Sequence, residues 1–150
     1  MSCTRPNYSH SVPLISHYQF DDVTFESKFE KGNLPPSLFT HEAHLRLAYI
    51  YLRKYGEKKA AEKISHEIEQ FDRLHGRGDK FNKTITVAAI KVVHHFIGRS
   101  KSKDFKFFIQ EFPRLKAAFK ELLYAHYSPD IFTSKTAKVQ FIDPDLLPFQ

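Results

Sequence analysis

Two histidines three residues apart open the stretch FTHEAHLRLAYIYLRKYG, residues 39 to 56. On a helix, positions three apart lie on neighbouring turns, so His41 and His44 can reach one ligand together. Imidazole serves as a general base, a hydrogen-bond partner or a metal ligand, according to its protonation. Both rings sit at a helix start, where the dipole disfavours added positive charge and favours the neutral form. The spelling His-Glu-Ala-His is one residue shorter than the HExxH of zinc proteases and is not that motif. With no third ligand in view, metal binding is not expected, and His41 and His44 are at most weak candidate ligands. The bland alternative is a hydrogen-bonded, silent pair at the start of a core helix.

A second candidate group lies in DKFNKTIT, residues 79 to 86. Asn82 and Thr86 are four apart and border an apolar stripe. Their amide and hydroxyl should be partly buried and therefore in need of partners. Those partners could be each other, the histidine pair or a bound molecule. His94 and His95 are adjacent, so they point about 100° apart on a helix and share no ligand easily. His126 ends a helix, where a charged imidazole suits the dipole. No P-loop, Rossmann glycines, G-x-S-x-G or cysteine metal spacing occurs.

The elements that must position these groups read as helices. Thr40 is a good N-cap, and His41, Leu45, Ala48, Leu52 and Tyr55 then share one stripe, with Glu42, Arg46, Arg53 and Lys54 opposite. This places His41 toward the interior and His44 at the rim of a cavity, facing the row of Asn82 and Thr86. Gly56 ends the helix. Residues 57 to 75 carry Ala61, Ile64, Ile68, Phe71 and His75 at spacings of three and four, a surface helix packed through one face. Residues 80 to 97 are apolar on two faces and should lie mid-domain. Short helices are expected near Val23–Phe29 and over Phe105–Phe112, with a longer one over Leu115–Tyr127. Caps at Ser128 and at Thr133 or Ser134 announce a last turn or two, and DPDLLPF closes the chain as an extended apolar strap. The expectation is an all-α single-domain bundle of five to seven helices over residues 19 to 150, preceded by a flexible N-terminal arm over residues 1 to 18.

Composition agrees with that class. The chain has 150 residues, 41% of them hydrophobic, enough for one core. No apolar run approaches the roughly 20 residues of a membrane helix, and MSCTRPNYSH lacks the apolar core of a secretory signal. A single cysteine, Cys3, suits a reducing cytoplasm. The formal charge of +6 is concentrated only in RSKSKDFK, with Arg99, Lys101, Lys103 and Lys106. That stretch is too short to favour nucleic acid. The tripeptide RGD, residues 77 to 79, carries no weight without a sign of secretion.

Taken in order, FTHEAHLRLAYIYL, KFNKTIT, YSPDIF and IDPDLLPF resemble a small, largely uncharacterised bacterial all-helical family. Its motifs read FTHxxHLxxAxxYL, KYHETxT and YSxxxL followed by PDLxP. The resemblance runs over most of residues 37 to 149. It implies a compact helical domain whose first two motifs face one pocket, and it carries no established activity. His41 and His44 match the first motif, and Lys80, Thr84 and Thr86 the second. Tyr127, Ser128, Lys138, Pro144 and Asp145 match the third, which adds Tyr127 and Lys138 to the candidate ligand-binding residues. Where the family has His-Glu, this chain has Asn82-Lys83. An imidazole and a carboxylate are thereby lost, so the chain should bind divalent metal weakly or not at all, and Asn82→His should raise zinc or iron affinity. A pocket for a small molecule, possibly catalytic, is the leading functional expectation. A helical interaction domain without chemistry is second, and nucleic-acid binding third. No cofactor is implied.

Overall fold

The computed structural model describes residues 16–149. Eight α-helices form among them, with three short 3-10 turns and no strand. They are α1 Asp22–Glu30, α2 His41–Tyr55, α3 Glu57–His75, α4 Lys83–Arg99, α5 Phe105–Glu111, α6 Arg114–Ala117, α7 Phe119–Tyr124 and α8 Lys135–Val139. The all-α class is as expected. The count exceeds the expected five to seven because the stretch read as one helix over residues 115 to 127 is broken at Ala118.

Local chemistry sets the helix starts. Asp21, Thr40, Asn82, Asp104 and Ser134 each place a side-chain oxygen on a first-turn amide, at 2.8 to 3.2 Å. The Asn82 cap moves the start of α4 from the expected residue 80 to Lys83. The loop before it is held by the Asp72 carboxylate, which accepts from the amides of Lys80 and Phe81. Gly56 alone joins α2 to α3, with φ at +82°. A β-carbon there would meet nothing within 4 Å, so the demand for glycine comes from the left-handed backbone.

The three long helices pack on one another, and α4 also carries α7 and α8, which makes it the central helix. Its buried residues, Thr84, Ala88, Ile90, Val92 and Val93, lie on more than one face. A ring cluster fills the space beside α3, with Phe29, Phe39 and Phe71 at centroid distances of 4.5 to 5.0 Å. Phe105 and Phe108 of α5 pack on Tyr49 of α2. No helix among the described residues is long and apolar enough to cross a membrane.

Two expectations about surface residues need correction. Arg46, read as pointing away from the core, is only 4% exposed. Its guanidinium donates to the carbonyls of His17 and Phe20, at 2.8 Å each, and to the Asp22 carboxylate. Residues 16 to 20 and the start of α1 cover that face of α2, and periodicity along α2 alone carries no sign of the cover. The expected arm over residues 1 to 18 lies, for residues 1 to 15, outside the described residues. Its last part is docked, with His17 buried against Arg46.

Candidate functional site

Between α2, α3, α4 and the α6–α7 junction lies a cavity of about 630 Å³ that opens to solvent on one side. That size suits a drug-sized molecule. The walls are mostly aliphatic and aromatic, from Leu45, Ile64, Ile85, Phe119 and Leu123 among others. Polar groups enter at few points. His41, His44 and Thr86 line the cavity, and Lys116, Lys120 and Glu121 stand around it.

The two histidines occupy opposite depths from those expected. His41 is exposed and His44 is half-buried. The α-helix explains the reversal. Side chains lean toward the N-terminus, so a residue in the first helical position projects past the helix end. His41 reaches across to the Leu115 carbonyl, with Nε2 at 3.0 Å, and packs edge-on to Phe119. His44, almost a turn later, folds back so that Nδ1 lies 2.8 Å from the Thr40 carbonyl, and its ring stacks on Phe39 at 3.6 Å.

These contacts fix the protons. A carbonyl oxygen only accepts, so the nitrogen facing it carries the hydrogen. His44 therefore donates through Nδ1, and its Nε2 is a bare acceptor when the ring is neutral. Burial, the largest cause, pulls the His44 pKa down to about 4, against a smaller upward pull from Thr40, with nearby His41 adding to the fall. The ring is neutral at physiological pH. His41 donates through Nε2 in the same manner. Among the described residues, neither remaining ring nitrogen has a hydrogen-bond partner, and neither does the Thr86 hydroxyl.

The break in the α6–α7 stretch belongs to this site. Ala118 takes φ −141° and ψ 39°, outside the helical range. In a continuous helix the Leu115 carbonyl would accept from the amide of Phe119. It accepts from His41 instead, so the imidazole occupies a backbone acceptor that the break releases. Nothing in the local sequence AAFKELL announces this. Alanine and lysine there favour an unbroken helix.

Three candidate residues lie away from the cavity. Asn82 is fully engaged as a cap, its Oδ1 accepting from Ile85 and its Nδ2 donating to the Ile131 carbonyl at 3.1 Å. Tyr127 is buried and donates to the Ile142 carbonyl at 2.7 Å. Lys138 donates to the Asp79 carbonyl. Each fastens the C-terminal segment to the body of the fold. Of the two polar residues on the α4 row, Thr86 and not Asn82 shares the cavity lining with the two histidines. Lys116 and Phe119 belong to the site and escaped sequence reasoning, because only the tertiary fold brings residues 114 to 119 over the start of α2. Lys116 pairs with Glu42 at 2.7 Å, and Lys120 lies over the Phe132 ring at 5.2 Å.

No family model matches the sequence, and no curated protein or solved structure gives a significant match. Among the described residues, no cluster of three or more histidine, cysteine, aspartate or glutamate side chains is arranged to hold a metal ion.

Proposed function

We propose that this protein binds a small molecule in the cavity at the N-terminal end of α2, with His44 as the polar contact inside it. The observation that carries this reading is a neutral imidazole whose Nδ1 is fixed on the Thr40 carbonyl and whose outer nitrogen, Nε2, has no protein partner among the described residues. In the free chain Nε2 is open to solvent. An occupant that displaced that water without offering a donor would leave it unpaired, at a cost of about 1–3 kcal/mol, which a donor on the ligand removes. The apolar walls supply the rest of the binding free energy, and the open side supplies a way in.

Binding accounts for the site better than catalysis. A nucleophile needs a base within hydrogen-bond reach. Among the described residues, both imidazoles direct their donors to backbone carbonyls, and neither touches a serine, cysteine or carboxylate. The interaction-domain reading gains less support, since the four most exposed large apolar side chains, Val23, Val139, Leu74 and Phe107, sit on four separate helices, and only Leu146 and Leu147 are neighbours in sequence.

The test is amide chemical-shift mapping with a mixture of small aromatic and aliphatic fragments. Shifts should gather on residues around His44, Thr86 and Phe119. Ala89→Leu, which adds bulk to the α4 wall, should remove them. Shifts scattered over the surface and unchanged by Ala89→Leu would refute the proposal.

A further inference from the structure

We infer that the ligand of this cavity is a neutral, largely apolar molecule bearing a hydroxyl or N–H donor, and that His44 Nε2 accepts that donor. The inference rests on the proposed pocket and adds the chemical class of its occupant. It follows from the direction of the polar groups inside. His44 spends its ring hydrogen on the Thr40 carbonyl and His41 spends its own on the Leu115 carbonyl. What remains at the cavity wall is the bare Nε2 of His44 and the Thr86 hydroxyl, which both donates and accepts. One fixed acceptor and one adaptable group select for a donor.

The same geometry disfavours an anion. A carboxylate would meet the His44 lone pair beside apolar walls, and His44 resists the protonation that would relieve this. The cations at the mouth do not offset that cost. Lys116 is held by Glu42, Lys120 lies over Phe132, and Glu121 stands beside them. The rim is therefore close to balanced in charge. A hydrocarbon without a donor would enter at the cost of leaving Nε2 unpaired, so it should bind more weakly than its hydroxylated analogue.

Three probes of one shape separate these cases: 4-butylphenol, 4-butylanisole and 4-butylbenzoate. Each is titrated into the full chain at about pH 7.5, with affinity read by calorimetry. The phenol should bind about tenfold more tightly than its methyl ether, the selectivity of one satisfied acceptor. In His44→Phe, which keeps the stacking ring and removes the acceptor, the preference should fall below about threefold. Thr86→Val serves as a second variant on a different helix and should weaken phenol binding while leaving a preference over the ether. Amide spectra of each unliganded variant check that the fold is kept. Equal binding of phenol and ether to the unmodified protein would overturn the donor assignment while the pocket stands. Tightest binding of the benzoate would overturn it in favour of the lysine rim. Failure of all three probes would overturn the pocket itself along with its ligand class.

Discussion

His44→Gln removes one titrating group from the interior and should flatten the acid limb of the stability curve. In the folded chain, burial holds the His44 pKa at about 4, against 6.5 when the chain is unfolded. Between those values the unfolded chain binds a proton that the folded chain does not. Stability is therefore fully present above about pH 7 and falls as the pH is lowered from 6.5 toward 4. At about 1.4 kcal/mol per pH unit, the loss is about 2 kcal/mol between pH 7 and 5, and about 3 kcal/mol by pH 4. His17, whose pKa burial and then the Arg46 guanidinium also lower to about 4, gives a separate loss of the same sign. The histidine window is clear of the lowered carboxylates. Asp145 and Glu111, held low by bonds from serines, lose their stabilisation only as the pH falls through the carboxylate range. Urea denaturation at about pH 7, 6 and 5, for wild type and His44→Gln, measures the difference. Normalised to pH 7, the variant should be about 2 kcal/mol less acid-sensitive at pH 5. A direct proton titration of the His44 ring should show no inflection above about pH 5. Parallel stability curves, or a His44 inflection near 6.5, would refute the reasoning and with it the neutral acceptor in the cavity.

Arg46→Met should cost about 3 kcal/mol, because it strips charged donors from two backbone carbonyls and from Asp22. Hydrogen exchange should then rise over residues 16 to 22, and unchanged protection there would contradict the docking role. Thr84→Val should cost about 2 kcal/mol in denaturant, since the buried hydroxyl both donates to the Gln140 carbonyl at 2.9 Å and accepts from the Ile142 amide at 3.1 Å. A neutral substitution would show that the tail is held by packing alone. Contrary to the expectation from the sequence, Asn82→His should leave zinc affinity, read by competition with a chelating dye, where it was, because position 82 caps α4 and faces Ile131, away from the cavity. The lost cap should lower stability by about 1 kcal/mol. A large gain in zinc affinity would mean that position 82 does reach the His41–His44 pair.

Much of the fold is written locally, and the reasons differ from element to element. Caps at Thr40, Asn82 and Ser134 need only a side chain and the next turn, so a linear reading finds them. The stripe on α2 identifies the cavity wall for the same reason, because Leu45, Ala48 and His41 share one angular sector and all line the cavity. Depth along the helix is a different quantity. Angle places His41 with the core, but its position at the first turn carries it out to the rim, while His44 folds inward beneath its own cap. Arg46 shows the other failure. Its sector reads as solvent until residues 16 to 20 are laid over it, and that contact spans 26 to 29 residues of sequence. The break at Ala118 has no local signal at all.

The candidate residues divide by what their polar atoms meet. His41, His44 and Thr86, placed by helix geometry, share the cavity. Tyr127 and Lys138, taken from motif resemblance, spend their polar atoms on backbone carbonyls of distant segments, as Asn82 does. A latch of that kind explains a fixed spacing as well as a binding site does. Ser128 and Asp145 are bonded to each other across 17 residues, through amide and hydroxyl on one carboxylate, which holds the end of the tail against the end of α7. Thr84 ties the same tail to α4, which two residues on, about half a turn round the helix, carries Thr86 of the cavity wall. The C-terminal segment thus clamps the helix that forms one side of the site, and α7 forms another. Loosening the tail should let α4 and α7 move relative to α2 without touching a ligand-facing atom. The motif residues of the tail then act on the cavity by holding its walls, while the two imidazoles that line it come from α2.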